Sequence, residues 1–277
     1  MAMTINTNIS ALQVENALNN NNAAMQSSMQ KLSTGSNINT AADDPAGLAI
    51  SQGLQAQIGG LTQAAQNVSD GVNLIQTASG ALTQVSAILQ QVNSLAVQAA
   101  NDTNDTDSRT DIQTQVTALA NELTQIGAST NFDGVSLLSG VANPIDIQVG
   151  TDGTANSQVA IDLSTANVST LATTVSGLTF DSAADAQASI TAVQTAIQSV
   201  STWQANLGAT QNVLTSTGQS IAVNSQNLTA ANSTISDADM ASEMANYTKD
   251  SVLVQAGTAM LSQANQNDQL VLKLLQG

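Results

Sequence analysis

The chain has 277 residues, 42% of them hydrophobic but only 1% aromatic, and sets 4 Lys+Arg against 20 Asp+Glu for a formal net charge of −16. Four scattered cations (Lys31, Arg109, Lys249 and Lys273) cannot track a phosphate backbone or an anionic lipid surface, so nucleic-acid binding and electrostatic membrane binding are excluded. His and Cys are both absent; zinc sites of the usual kind and Ser-His-Asp or Cys-His catalysis drop out with them, and neither an enzyme nor a cofactor or metal site is expected.

The apolar residues are mostly Ala, Val, Leu and Ile, which suits long aliphatic seams better than one deep core built on aromatic rings. Ile5, Ile9, Leu12, Leu18, Met25, Met29 and Leu32 follow one another at mostly helical spacing, and Gly35 closes that first helix. After a loop, Asp44 and Pro45 read as the cap and first position of a second helix, since Pro needs no N–H there. Leu54, Ile58, Leu61, Ala65, Val68, Val72 and Ile75 then alternate by four and three. A three-residue step to Ala78, beside Gly80, precedes a second run through Leu82, Val85, Leu89, Val92, Ala96 and Ala99. A helix over about 45–100 would be roughly 80 Å long.

Asn101 to Asp107 reads as a solvated turn. Its acids, with Asp111, lack the Gly and terminal Glu of an EF-hand loop. Asp107 is the expected cap of a helix over about 107–127, which buries Ile112, Val116, Leu119, Leu123 and Ile126 and folds back on the long helix. The region of about 131–182 reads as β. Ile145 to Val149 and Gln158 to Leu163 alternate as a hairpin, and Val175 to Phe180 suggests another short strand. From about 184 to 235 the chain is helical again, with Val193, Val200, Leu207, Leu214, Ile221, Leu228 and Ile235 recurring every seven residues. After Asp237 and Asp239, a final helix carries Met240, Met244, Tyr247, Val254, Leu261 and Ala264, and closes on Leu270, Leu274 and Leu275. Gly257 within it costs about 1 kcal/mol relative to Ala, which implies a packing reason. The methionines Met25, Met29, Met240, Met244 and Met260 read as adaptable packing surface. Both chain ends are thus amphipathic helices without a core of their own, as in a building block.

Several stretches resemble the bacterial flagellin family. LSTGSNINTAADDPAGLAIS (Leu32 to Ser51) and NVSDGVNLIQTASGALTQVSAILQQVNSLAVQAA (Asn67 to Ala100) are similar to its amino-terminal signature, and TNFDGVSLL (Thr130 to Leu138) to its strand-entry motif. ISDADMASEMANYTKDSVLVQAGTAMLSQANQ (Ile235 to Gln266) is similar to its carboxyl-terminal signature. The resemblance covers both ends of the chain and leaves a short middle. It implies a mainly α fold: a long antiparallel coiled-coil-like helical rod, paired N- and C-terminal helices and a small β-hairpin region. The terminal helices (1–42 with 236–277) would form an inner domain and 43–235 the rod.

The implied function is a structural subunit that polymerises into the flagellar filament and gives motility. Ile5, Ile9, Leu12, Leu18, Met25, Leu32, Met260, Leu261, Leu270, Leu274 and Leu275 would lie at subunit interfaces. The implied partners are further copies of the chain, the flagellar cap and hook-associated proteins, an export chaperone and the type III export apparatus. The implied location is extracellular, reached without a cleaved signal peptide: no cation precedes Lys31, and no apolar run approaches the ~20 residues of a membrane span. Two alternatives share part of this pattern. A hook–filament junction protein shares the terminal resemblance, and Ala/Gln-rich heptads also occur in chemoreceptor-like helical signalling proteins, which the β middle and missing span disfavour. Ile88 to Leu95 lacks the Arg and Glu by which flagellins meet the vertebrate innate immune receptor, so that property does not carry over.

Overall fold

The computed structural model describes residues 8–140 and 144–276, with side chains as far as Gln266. Its elements are α1 (Ile9–Thr34), α2 (Pro45–Ala99), α3 (Thr106–Ser129), β1 (Asn131–Phe132), β2 (Val135–Ser136), β3 (Ile145–Gln148), β4 (Gln158–Ile161), α4 (Val168–Ser176), α5 (Ala183–Ser236) and α6 (Met240–Gln276). The fold is mainly α, with two small antiparallel hairpins, β1–β2 and β3–β4, between the long helices.

Helix ends follow from local chemistry. Asn8 caps α1 by accepting from the Ala11 N–H at 2.9 Å, and Gly35 ends it in a left-handed conformation, its N–H on the Lys31 carbonyl. At the start of α2, Asp44 Oδ1 accepts from the N–H groups of Ala46 and Gly47 at 3.1 and 2.9 Å. The turn before it is held by Asp43, whose Oδ2 accepts from the N–H groups of Asn39 and Thr40 at 3.0 and 2.8 Å. Ser182 and Asp185 bond each other's N–H groups at the start of α5, a reciprocal capping box.

Two expectations about helix starts and strands are corrected. The cap of α3 is Asp105, which accepts from the Ser108 N–H at 2.8 Å, while Asp107 falls in the first turn. Arg109 anchors this start, its Nε donating to the Ala99 carbonyl at 3.2 Å. The region Val175 to Phe180 forms no strand: Val168 to Ser176 is α4, capped by Asn167 and burying Val168, Leu171, Ala172 and Val175. That i, i+3, i+4, i+7 spacing is helical, and it overrides the strand preference of the Val and Thr residues.

The chain divides into two compact units, a middle unit (Gln57–Gln226) and a terminal unit made from the chain up to Ala56 and from Asn227 onward. The middle unit has one continuous core drawn from α2, α3, α4, α5 and the hairpins, with Ile75, Leu82, Leu89, Leu123, Leu137, Leu138, Ile161 and Leu214 fully buried. Along α2 the inward positions run Ile58, Leu61, Ala64, Val68, Gly71, Ile75, Ala78 and Leu82. The extra three-residue step therefore lies at Leu61–Ala64, Ala65 is exposed, and the seam is unbroken beside Gly80.

Glycines set where the β3–β4 hairpin rests on α2. A Cβ on Gly60 would stand 2.7 Å from Thr151 Cγ2, and one on Gly71 would stand 3.1 Å from Ile147 Cγ1. Between them Asn67 Nδ2 donates to the Gln148 carbonyl at 3.0 Å. Gly140 works differently: its φ of +72° is left-handed, and a Cβ there would collide with the Asn167 side chain. Because Asn167 caps α4, Gly140→Ala both strains the backbone and displaces a cap. Urea unfolding should show a loss of about 2 kcal/mol.

Candidate assembly surface

The terminal unit holds α1 and α6, the loops that flank them, the first turns of α2 and the last turns of α5. α1 and α6 pack antiparallel. Asn8 Nδ2 donates to the Ala264 carbonyl at 3.2 Å, Leu18 lies beside Gly257, and Ser36 pairs with Asp237 in an antiparallel bridge. The Asn37 N–H meets the Ser236 carbonyl at 2.7 Å and the Ala238 N–H meets the Gly35 carbonyl at 2.9 Å. Asp239 caps α6 through the Ala241 N–H at 3.0 Å.

The face of α1 turned inward runs Ala11, Val14, Leu18, Asn21, Met25, Ser28 and Leu32, and that of α6 runs Glu243, Tyr247, Asp250, Val254, Gly257, Leu261 and Ala264. Both alternate by three and four, a heptad seam. It is thin and partly polar, and most of its members are only half-buried. Gly257 supplies the packing reason its position in a helix requires. A Cβ there would lie 3.2 Å from Leu18 Cδ1, so its absence lets α1 and α6 approach.

The residues expected at interfaces separate into two groups. Leu18, Met25, Leu32 and Leu261 are half-buried on the seam between α1 and α6. Ile9, Leu12 and Met260 point outward, and with Val252 they are 57 to 62% exposed. Ile5 lies outside the described residues, as do the side chains of Leu270, Leu274 and Leu275. The structure adds Ile50, Val252 and Leu253 to the outward set, together with Met29, Met240 and Met244. Val252-Leu253-Val254 already carried the signal, because three consecutive apolar residues cannot share one face of a helix.

Buried apolar side chains are nearly missing from this unit. Among the described residues, Ile38 is its one buried hydrophobic residue, and every other belongs to the middle unit. Thirteen large hydrophobic side chains are exposed in the described chain, and nine of them are on the terminal unit. An exposed apolar surface of this kind, on a unit with so little buried core, is the strongest candidate interaction surface among the described residues.

Hydrogen bonds from backbone N–H groups and serine hydroxyls lower the pKa of three carboxyls of the chain. The Thr40 and Asn39 N–H groups hold the Asp43 carboxyl below its usual range. Bonding from Ser108 lowers Asp105, and bonding from Ser164 lowers Asp162. A depressed carboxyl pKa stabilises the fold above the unfolded value of about 4 and stops doing so as pH falls through the folded value. Asp105→Asn keeps a capping oxygen but cannot titrate. Its stability difference from the parent should therefore shrink between pH 6 and pH 2.5 in paired thermal melts. Among the described residues no three acidic side chains gather as a metal site, and no helix is long and apolar enough to cross a membrane.

Comparison with known proteins fits this geometry. The profile of the bacterial flagellin N-terminal helical region matches residues 5–143, and that of the C-terminal helical region matches residues 190–275. The chain belongs to the bacterial flagellin family. It is 43% identical to a flagellin of Bacillus subtilis (strain 168), an alignment covering 99% of this chain and 100% of that one. It is 40% identical to a flagellin of Halalkalibacterium halodurans, again over 99% and 100% of the two chains. A solved structure of a flagellar hook-associated protein from Vibrio parahaemolyticus shares the fold at a TM-score of 0.55, with 14% identity over 70% of this chain and 99% of that one. What lies between the two matched regions of this flagellin is short: β3, β4, α4 and the start of α5. It is a compact member of the family, a structural protein and not an enzyme.

Proposed function

We propose that this flagellin is the repeating subunit of an extracellular flagellar filament and that it polymerises through its terminal unit. The observation that carries this is the contrast between the two units: a complete core in the middle unit, and apolar side chains left in solvent on the terminal one. Neighbouring copies supply the burial that α1 and α6 lack; the terminal helices act as the inner domain and residues 43–235 as the rod. In the same scheme the chain leaves the cell through the flagellum-specific type III apparatus, unfolded and accompanied by a chaperone. It then adds at the tip beneath a cap protein, above the hook-associated proteins. The absence of Cys suits such passage, since no cross-link can trap a folded form.

Polymerisation of the purified chain at neutral pH tests the proposal. Each subunit carries a formal charge of −16, so packing copies together costs repulsion that salt screens over a Debye length of about 10 Å at 0.1 M. Seeded growth should yield long filaments by electron microscopy, at a rate that rises with ionic strength. Failure to grow at any salt concentration overturns the proposal, and growth that stops at short rings points instead to a junction protein.

A further inference from the structure

We propose that the exposed methionines of the terminal unit, Met29, Met240, Met244 and Met260, form a redox gate on assembly. A peroxide oxidises them in the free subunit, and the resulting sulfoxides block its addition to the polymer; this rests on polymerisation through the terminal unit as proposed above.

Distribution is the first support. The chain has 7 Met, and none lies between residues 57 and 226, so the middle unit has no thioether. Met1 and Met3 are outside the described residues, and Met25 is half-buried on the seam between α1 and α6. The other four are 46 to 60% exposed, each on the unit whose apolar surface awaits a partner. The chain has no Cys, and among the described residues these four thioethers are its exposed sulfur.

Position is the second. Met240 and Met244 stand one turn apart on α6 and so share a face. The antiparallel register, with Ser36 opposite Asp237 and Leu18 beside Gly257, brings Met29 level with Met244. Met260 lies near the level of Leu12 by the same register.

The chemistry closes without a further reactant. A methionine sulfur lone pair attacks one oxygen of hydrogen peroxide. The S–O bond forms as the O–O bond breaks, and the departing hydroxide takes the proton of the new sulfur-bound hydroxyl, so that it leaves as water and the sulfoxide stays behind. Sulfur loses two electrons and the peroxide gains them. A flexible apolar side chain becomes a polar sulfoxide, which is costly to bury in an apolar contact that offers it no donor. The fold of the free subunit is spared because these four side chains already face solvent, whereas in a filament they are shielded.

The test treats the purified full-length subunit with hydrogen peroxide, removes the oxidant with catalase, and measures sulfoxide by mass spectrometry, thermal melting by circular dichroism and the critical concentration for seeded growth. The expected result is sulfoxide at Met29, Met240, Met244 and Met260, an unchanged melt and a critical concentration raised at least tenfold, with the same residues protected in preformed filaments. The combined variant M29L/M240L/M244L/M260L should polymerise equally with and without peroxide, as should protein with methionine replaced throughout by its sulfur-free isostere norleucine. Normal growth of the oxidised parent overturns the gate alone, and so does a four-leucine variant that stays sensitive. An untreated parent that never polymerises overturns the assembly proposal and the gate with it.

Discussion

Replacing Leu12 and Val252 together by Asp should abolish filament growth while leaving the thermal melt of the free subunit within a few degrees of the parent. Both side chains are more than half exposed, on different helices of the terminal unit. In the free chain the change moves a carboxylate into a place already wet. Surface substitutions of this kind stay near 0.5 kcal/mol each, to which the lower helix preference of Asp adds a few tenths. On the proposed assembly the same positions are buried against a neighbour, where the effective penalty for an unpaired charge is several kcal/mol. Each ~1.4 kcal/mol is a factor of ten in association, so two such charges take the critical concentration beyond reach. The Asn variants at the same positions separate burial of polarity from added repulsion: they should weaken growth less, and with less dependence on salt. The contrasting substitution is Leu18→Asp, on the seam against Gly257, which should lower the melt of the subunit itself. Normal filaments from the Leu12/Val252 double Asp variant would show that these faces are not contacts.

Much of this fold can be read from local sequence because its decisive features are local. Pro45 opens α2, Gly35 ends α1, and the seven-residue recurrence from Val193 to Ile221 is buried throughout. What could not be read depended on choices between near-equivalent neighbours. Ala64 and Ala65 are the same residue type, and only the packed core shows that Ala64 is inside. Asp105 and Asp107 both suit a cap, and the anchoring of Arg109 on the Ala99 and Asn101 carbonyls accompanies a helix start at the earlier one. On α1 two stripes compete. Ile9, Leu12 and Met29 are the larger side chains, yet Ala11, Val14 and Ser28 face α6. Leu18, Met25 and Leu32 continue the seam as their hydrophobicity suggests, but at Ile9, Leu12 and Met29 hydrophobicity alone selects the outward stripe. That same misjudgement hides the candidate surface, since the larger side chains left over are the ones available to neighbouring copies.

Leu214→Ala should cost about 3 kcal/mol in unfolding free energy, the loss of a fully buried leucine with incomplete collapse of the space it leaves. More informative is its coupling to Gly71. A Cβ on Gly71 would lie 3.2 Å from Leu214 Cδ1 and 3.1 Å from Ile147 Cγ1, so Gly71→Ala in the parent sets a gain in helix preference of up to about 1 kcal/mol against crowding from two sides. Removing the leucine relieves one side. Gly71→Ala should then be more favourable by at least about 0.5 kcal/mol in the Leu214→Ala background than in the parent, a coupling expected of residues in contact. Urea titrations of the four proteins measure it. Simple additivity would mean that α2 and α5 shift to absorb the extra methyl, and that Gly71 is there to seat the Ile147 end of the hairpin and not to admit Leu214. The hairpin contact would then set the glycine's role, and Gly71→Ala should instead couple to Ile147→Ala, which removes Cγ1 and Cδ1.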